Sequence, residues 1–219
     1  MIKKTILLTM LTLAGLVCTA QKRTTQATLF NEFKPSVITL MNGHKVKQQF
    51  TNVFLKNSSL VYLQGEYTME ANMETIAKVE FENRTYININ NQLAYMVDSV
   101  GPNQLYRIDL FDMVAYNQHI RNNINISNMG FENGAITPTT MDLNSEDDYK
   151  LPIFSHFYYL YNGEFIKVHE RDISRALPKD KDLRRKYRTI IGLDTFSWND
   201  SKSLMQLLEA ITLKDKEKE

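Results

Sequence analysis

The run Ser36-Val-Ile-Thr-Leu-Met-Asn-Gly-His-Lys-Val-Lys-Gln-Gln-Phe-Thr-Asn-Val-Phe-Leu55 decides the fold class. β-Branched and aromatic residues fill both halves. Asn42-Gly43 between them is the strongest short turn signal, because Asn and Gly accept the positive φ angles of a two-residue hairpin turn. The pattern predicts antiparallel strands over Ser36 to Met41 and Lys45 to Leu55. Val46, Gln48, Phe50, Asn52 and Phe54 should share one face of the second. The same texture continues through Leu60-Val-Tyr-Leu63, Thr75 to Phe81, Tyr86 to Ile89, Leu93 to Val97 and Leu105 to Leu110. Turns at Asn57-Ser-Ser59, Gln64-Gly65, Glu82-Asn83 and Gly101-Pro102 separate these runs. Strands recurring about every ten residues predict a small barrel or sandwich.

The last third carries a second clear hairpin between Ser155 and Glu170, around Asn162-Gly163. A two-residue turn there sets Tyr159 opposite Ile166 and Phe157 opposite Val168 on one apolar face. Leu160 with Phe165, Tyr158 with Lys167 and His156 with His169 fall on the other. Helices follow. Leu183, Tyr187, Ile190 and Ile191 form one apolar stripe, and Leu204, Leu207, Leu208 and Ile211 form another, with Asn199 or Asp200 as its N-cap. A short turn at Asp172 to Leu177 ends before Pro178. The fold class is therefore α+β: a β-rich N-terminal part, a small barrel or sandwich of short antiparallel strands, then a hairpin and two to three C-terminal helices.

The expected boundaries are a signal peptide over 1–20, a β-rich domain over 21–121, a long surface connection over 122–150, and hairpin plus helices over 151–213. A charged tail over 214–219 should fray. The connection stands out by Asn122, Asn123, Asn125, Asn128, Asn133 and Asn144 and by the acidic run Glu146-Asp147-Asp148, without an apolar period. Hairpin and helices can pack on the first part as one domain or stand apart as a second.

Lys3 and Lys4 followed by the uncharged run Thr5 to Val17 and the small residues of Cys18-Thr19-Ala20 make a secretory signal, cleaved to leave Gln21 first. Lipidation at Cys18 is the less favoured alternative, since Gly15-Leu16-Val17 puts leucine one place late and a bulky valine at the cut. Cleavage after Ala20 removes the single cysteine, so no disulfide can form and stability must come from an ordinary core. The chain has 26 basic and 25 acidic residues; without Lys3 and Lys4 the balance is 24 against 25, near −1. That balance gives no reason to expect a nucleic-acid partner, and no later stretch is long and apolar enough for a transmembrane segment. A soluble exported domain, periplasmic or secreted, is expected.

Signatures of catalysis are missing. There is no Gly-x-Ser-x-Gly elbow, no His-Glu-x-x-His helix and no phosphate-binding glycine loop, which weighs against an enzyme. His44, His119, His156 and His169 lack ligand spacing in the sequence. His156 and His169, brought together by the hairpin, are weak ligand candidates without a third donor, so neither a metal nor a cofactor is expected. Tyr159 and Tyr161 are the only pair of the Tyr158-Tyr159-Leu160-Tyr161 stripe that can share a face for stacking on a sugar, and core packing is the blander role. Asp142 to Asp148 alternates oxygen donors, but Asp147 stands where a calcium loop needs glycine. Lys179 to Arg188 reads as a solvated helix face or a patch for an acidic partner. Trp198 with Phe196 reads as a staple on the last helix. Asp98-Ser99-Val100 looks like a short acceptor of bacterial O-glycosylation.

Taken together, the signal ending Ala20-Gln21, the strand pair from Val37 through Asn42-Gly43, the stretch Tyr86 to Asp98 and the hairpin Phe157 to Ile166 before short charged helices resemble a group of exported β-rich proteins of Bacteroidetes type. The resemblance is one of layout. It implies a Gram-negative envelope or secreted location and, since the group has no assigned activity, no residue roles. Three functions remain open. The first is a non-catalytic binding or interaction module of the envelope, recognising a protein or glycan. The second is a hydrolase-type enzyme with a dispersed site. The third is a structural or assembly subunit pairing through a strand edge.

Overall fold

A computed structural model describes residues 26–118 and 151–212 in full and the backbone of 119–123. The segment read as a signal peptide with its Cys18, the His119 side chain, the acidic run within 124–150 and the charged tail lie outside the described residues. The strands are β1 Lys34–Leu40, β2 Lys45–Phe54, β3 Ser59–Gln64, β4 Tyr67–Glu70, β5 Ile76–Phe81, β6 Arg84–Ile89, β7 Gln92–Val100 and β8 Asn103–Phe111, then β9 Ile153–Tyr161 and β10 Glu164–Lys167. Helix α1 spans Met113–Asn123, α2 Glu170–Ala176, α3 Lys181–Ile191 and α4 Ser201–Thr212. The protein is α+β, with its β-rich part first and its helices mostly at the C-terminal end.

All ten strands join one antiparallel sheet in the order β10-β9-β8-β7-β6-β5-β1-β2-β3-β4. It is two meanders, β1 to β4 and β5 to β10, each built by sequential neighbours and stitched together where β1 pairs with β5. The sheet curls into a half-barrel and stays open, so the barrel expected from the strand spacing is realised without closure. Across the curl, the β2–β3 turn is laced to the far strands. Leu55 O accepts from Phe111 N at 2.8 Å, Ser58 O accepts from Leu93 N at 2.7 Å, and Ser58 Oγ donates to Leu93 O at 2.8 Å.

Inside the curl, Ile38, Val53, Leu60, Ile76, Val79, Phe81, Tyr86 and Leu93 form one core. Further along the same inner face, Leu105, Phe157, Tyr159 and Tyr161 meet α2, α3 and α4 in a second. Helix α4 contributes Leu204, Leu207, Leu208 and Ile211, each buried side chain worth about 1.5–3 kcal/mol. Asp200 starts this helix, its carboxylate accepting from Ser203 N at 2.8 Å and Ser203 Oγ at 2.9 Å. It takes the capping role open to Asn199 or Asp200 in the sequence. A third, smaller core on the outer face gathers Ile89, Ala94, Tyr106 and Ile108.

Three local features depart from the sequence pattern. A bulge in β2 lets Ser36 pair with Gln48 but Lys34 with Thr51, so the inward phase switches along the strand. Thr51 and Val53 point inward while Phe50 is exposed, and the single face drawn from Val46 to Phe54 does not exist. Strand β4 is too short and polar to show an alternation. Helix α1 lacks an apolar stripe and announces itself only by Asp112, whose side chain accepts from Ala115 N at 2.9 Å.

Candidate functional site

Between the two inner cores lies a strip of polar and aromatic side chains set by strand register. Tyr86 on β6 pairs with Tyr95 on β7, Tyr95 with Arg107 on β8, and Arg107 with Phe157 on β9. One step along the strands, Asp109 pairs with Ser155, and Arg84 with Phe81. Directly opposed residues share a face of the sheet, so the strip is a consequence of pairing. Its outer wall is the segment before β1. The buried Asn52 side chain grips that segment, donating to Phe30 O at 2.7 Å and accepting from Phe30 N at 3.1 Å. This fixes Phe30 against Phe81, with ring centroids 5.0 Å apart.

Two guanidinium groups converge on Tyr95. Arg84 and Arg107 each stand with Cζ 5.7 Å from its ring centroid, and Arg84 lies at the same distance from the Phe30 ring. Lys34 Nζ sits 4.8 Å from the Phe30 centroid. Such contacts place a cation on the electron-rich ring face. Arg107 Nε reaches Asp109 at 2.9 Å to Oδ1 and 3.2 Å to Oδ2, and Ser155 Oγ donates to Oδ1 at 2.7 Å. Asp109 is only 6% exposed, whereas the Arg107 side chain keeps 32% of its surface and Arg84 is exposed. The carboxylate is thus an internal anchor, and the arginines are what the strip offers to solvent.

Electrostatics within the strip are coupled. The neighbouring Tyr86 hydroxyl, followed by Tyr95 and Asp109, holds the Arg84 pKa above its ordinary value. Burial pushes the Tyr86 phenol up, outweighing the opposing pull of Arg84. Tyr86 Oη is sealed from solvent and meets no partner in ordinary hydrogen-bond geometry, although Arg84 is near enough to influence it. The Ser155 hydroxyl within the strip is spent on the Asp109 carboxylate, donating to Oδ1 at 2.7 Å.

The residues singled out in the sequence are placed elsewhere. Tyr159 is fully buried and donates to Leu204 O at 2.6 Å, and Tyr161 donates to Ile211 O at 3.3 Å, so both phenols tie the sheet to α4. The hairpin register is the expected one from Glu164 opposite Tyr161 to Lys167 opposite Tyr158. Beyond that pair β10 ends. His169 turns away to cap α2, its Nδ1 accepting from Arg171 N at 3.3 Å, so the expected strand pairing with His156 is not formed. Capping satisfies a helix-end N–H and competes with continuing the ladder. His156 stands half-buried on the outer face against Phe154, its pKa lowered first by burial and then by Lys167. Among the described residues no three His, Cys, Asp or Glu side chains are grouped to hold a metal.

The basic run lies on α3, where Lys181, Arg184, Arg185, Arg188 and Thr189 line a shallow groove. Two of its arginines are engaged locally: Arg184 Nε donates to Pro178 O at 3.1 Å, and Arg185 pairs with Asp182 at 3.0 Å. Trp198 and Phe196 meet edge to face at 4.8 Å and pack on the helical core as a staple does. Ser99 is exposed on β7. Sequence reasoning missed the strip because its members are scattered over five strands. The legible signal was Arg107 and Asp109 falling in phase with inward Leu105. Comparison with family models, curated proteins and solved structures finds no match to this chain.

Proposed function

We propose that this chain is an exported, non-catalytic binding module of the bacterial envelope, periplasmic or secreted, whose ligand is taken by the strip between the two inner cores. The Arg84–Tyr95–Arg107 stack carries the reading. Two cations with solvent access beside one aromatic ring, one of them, Arg107, anchored by a buried carboxylate, form a preorganised recognition surface. The leader-like N-terminus and the layout shared with exported β-rich proteins support the location.

The test expresses the full chain with its own N-terminus in a Gram-negative host. Mass spectrometry of the exported product should give Gln21 as first residue, and a lipid-bearing peptide beginning at Cys18 would replace free export by membrane anchoring. The purified product is then screened against immobilised envelope polysaccharides and peptides, beside a panel of ester, peptide and glycoside substrates. Saturable binding lost in Tyr95→Ala, without turnover, is the expected result. Turnover that depends on His156 or His169 would overturn it in favour of a hydrolase.

A further inference from the structure

We infer that the ligand of this strip carries an anionic oxygen group, a carboxylate, sulfate or phosphate, met by the guanidinium groups of Arg84 and Arg107 around Tyr95. The inference rests on the binding-module reading above and adds the chemistry of what is bound.

Charge is the first argument. Lys34, Arg84 and Arg107 gather around Phe30 and Tyr95, and against them the strip sets Asp109. Asp109 is buried and already divided between Arg107 and the Ser155 hydroxyl, so it cannot turn outward to a ligand. The solvent-facing side of the strip is therefore cationic. Lower polarizability at the walls of two packed cores strengthens an ion's attraction beyond what an open surface gives.

Aromatic geometry supplies the second argument, and it separates two ligand classes. A neutral sugar bound by stacking needs a free aromatic face. Both guanidinium groups are over the Tyr95 ring, while Lys34 and Arg84 are over Phe30. The rings are occupied as supports for cations. The Arg107 guanidinium, beside the Tyr95 ring and fixed through Nε, has a planar fork whose geometry matches the paired oxygens of carboxylate, sulfate or phosphate.

The anion can be free or the acidic group of a polysaccharide, and the experiment separates these. Isothermal titration of the full mature chain uses inorganic sulfate, inorganic phosphate, trigalacturonate and, as the neutral control, maltotriose. Wild type should bind at least one of the three anions and not maltotriose, more weakly as salt rises. Trigalacturonate binding well above either inorganic ion would identify a polymer; comparable binding would identify a free anion. Arg84→Gln, at an exposed position, should lower affinity about tenfold or more, the loss of one charge-assisted bond. Arg84→Lys should recover part of it, and circular dichroism should show both variants folded. Maltotriose binding as well as trigalacturonate, or anion binding unchanged in Arg84→Gln, overturns the anionic assignment while the binding module stands. Failure of all four probes at millimolar concentration also overturns it, and the immobilised envelope screen then decides the module separately.

Discussion

Asp109 sits where the two inner cores meet, and its removal should be felt as lost order as much as lost charge. Asp109→Asn keeps the shape but leaves Arg107 facing a neutral amide, so stability should fall by about 1–3 kcal/mol. Urea midpoints measure this, and a double-mutant cycle with Arg107→Gln should show the two changes far from additive. Tyr187 offers a different lever. Burial, followed by the charge of Glu170, pushes its phenol up to about 12 from the ordinary 10.0, and Tyr187 Oη donates to Glu170 O at 3.1 Å. The unfolded chain loses this proton near pH 10 and the native one near 12. Stability from this group is therefore full below pH 10 and is lost as pH rises through that window. Burial also raises the Tyr159 phenol, which acts in the same direction. The urea midpoint should drop between about pH 10 and about pH 12, and Tyr187→Phe should flatten the slope. An unchanged slope in that variant would show that other groups govern the alkaline limb.

At the level of elements, turns do much of the specifying. Asn162 has φ 52° and Gly163 φ 86°, the pair of positive angles that fixes the β9–β10 register. An added Cβ at Gly163 meets nothing within 4 Å, so Gly163→Ala should cost about 1–2 kcal/mol through backbone conformation alone. The β6–β7 turn uses Asn90 and Asn91 at φ 53° and 64°. Asn91→Gly there should raise stability by up to about 1 kcal/mol, measured as a higher urea midpoint. Elements with strong local signals were legible in the sequence: the eight strands of six or more residues, the Asn162-Gly163 register and the stripes of α3 and α4 all follow from period and turn chemistry. The β2 bulge was not, because opposing two residues to one depends on the partner strand. Nor was the strip, since register alone brings Arg84, Tyr95, Arg107 and Ser155 to one face. The separation of His156 and His169 was missed for a related reason, as helix capping by His169 ended the strand.

For the whole molecule, the two inner cores share one sheet, and β8 pairs directly with β9 across the 122–150 connection. Both should therefore melt together. Trp198, the single tryptophan, packs on the helical core and reports its loss by fluorescence, while the far-ultraviolet dichroism follows the sheet. The two urea midpoints should coincide in the wild type and still coincide in Leu208→Ala, which empties a fully buried site at a cost of about 2–5 kcal/mol. Separate transitions would mean that the helical layer unfolds by itself.

The pairing of β1 with β5 has a consequence for how this chain can be divided. Every other strand contact in the sheet is made by neighbours in sequence, so each meander assembles from local pieces, and a single non-local edge joins them. A chain cut within Ala71 to Thr75 would yield two fragments, each with its own hairpins and each ending in half of a core. Mixed together, they should find one another through the exposed edges of β1 and β5, with the β2–β3 turn locking onto Leu93 and Phe111. The protein would then be a split pair, recoverable by complementation, whose natural break lies among the strands rather than at the long connection where the sequence changes texture.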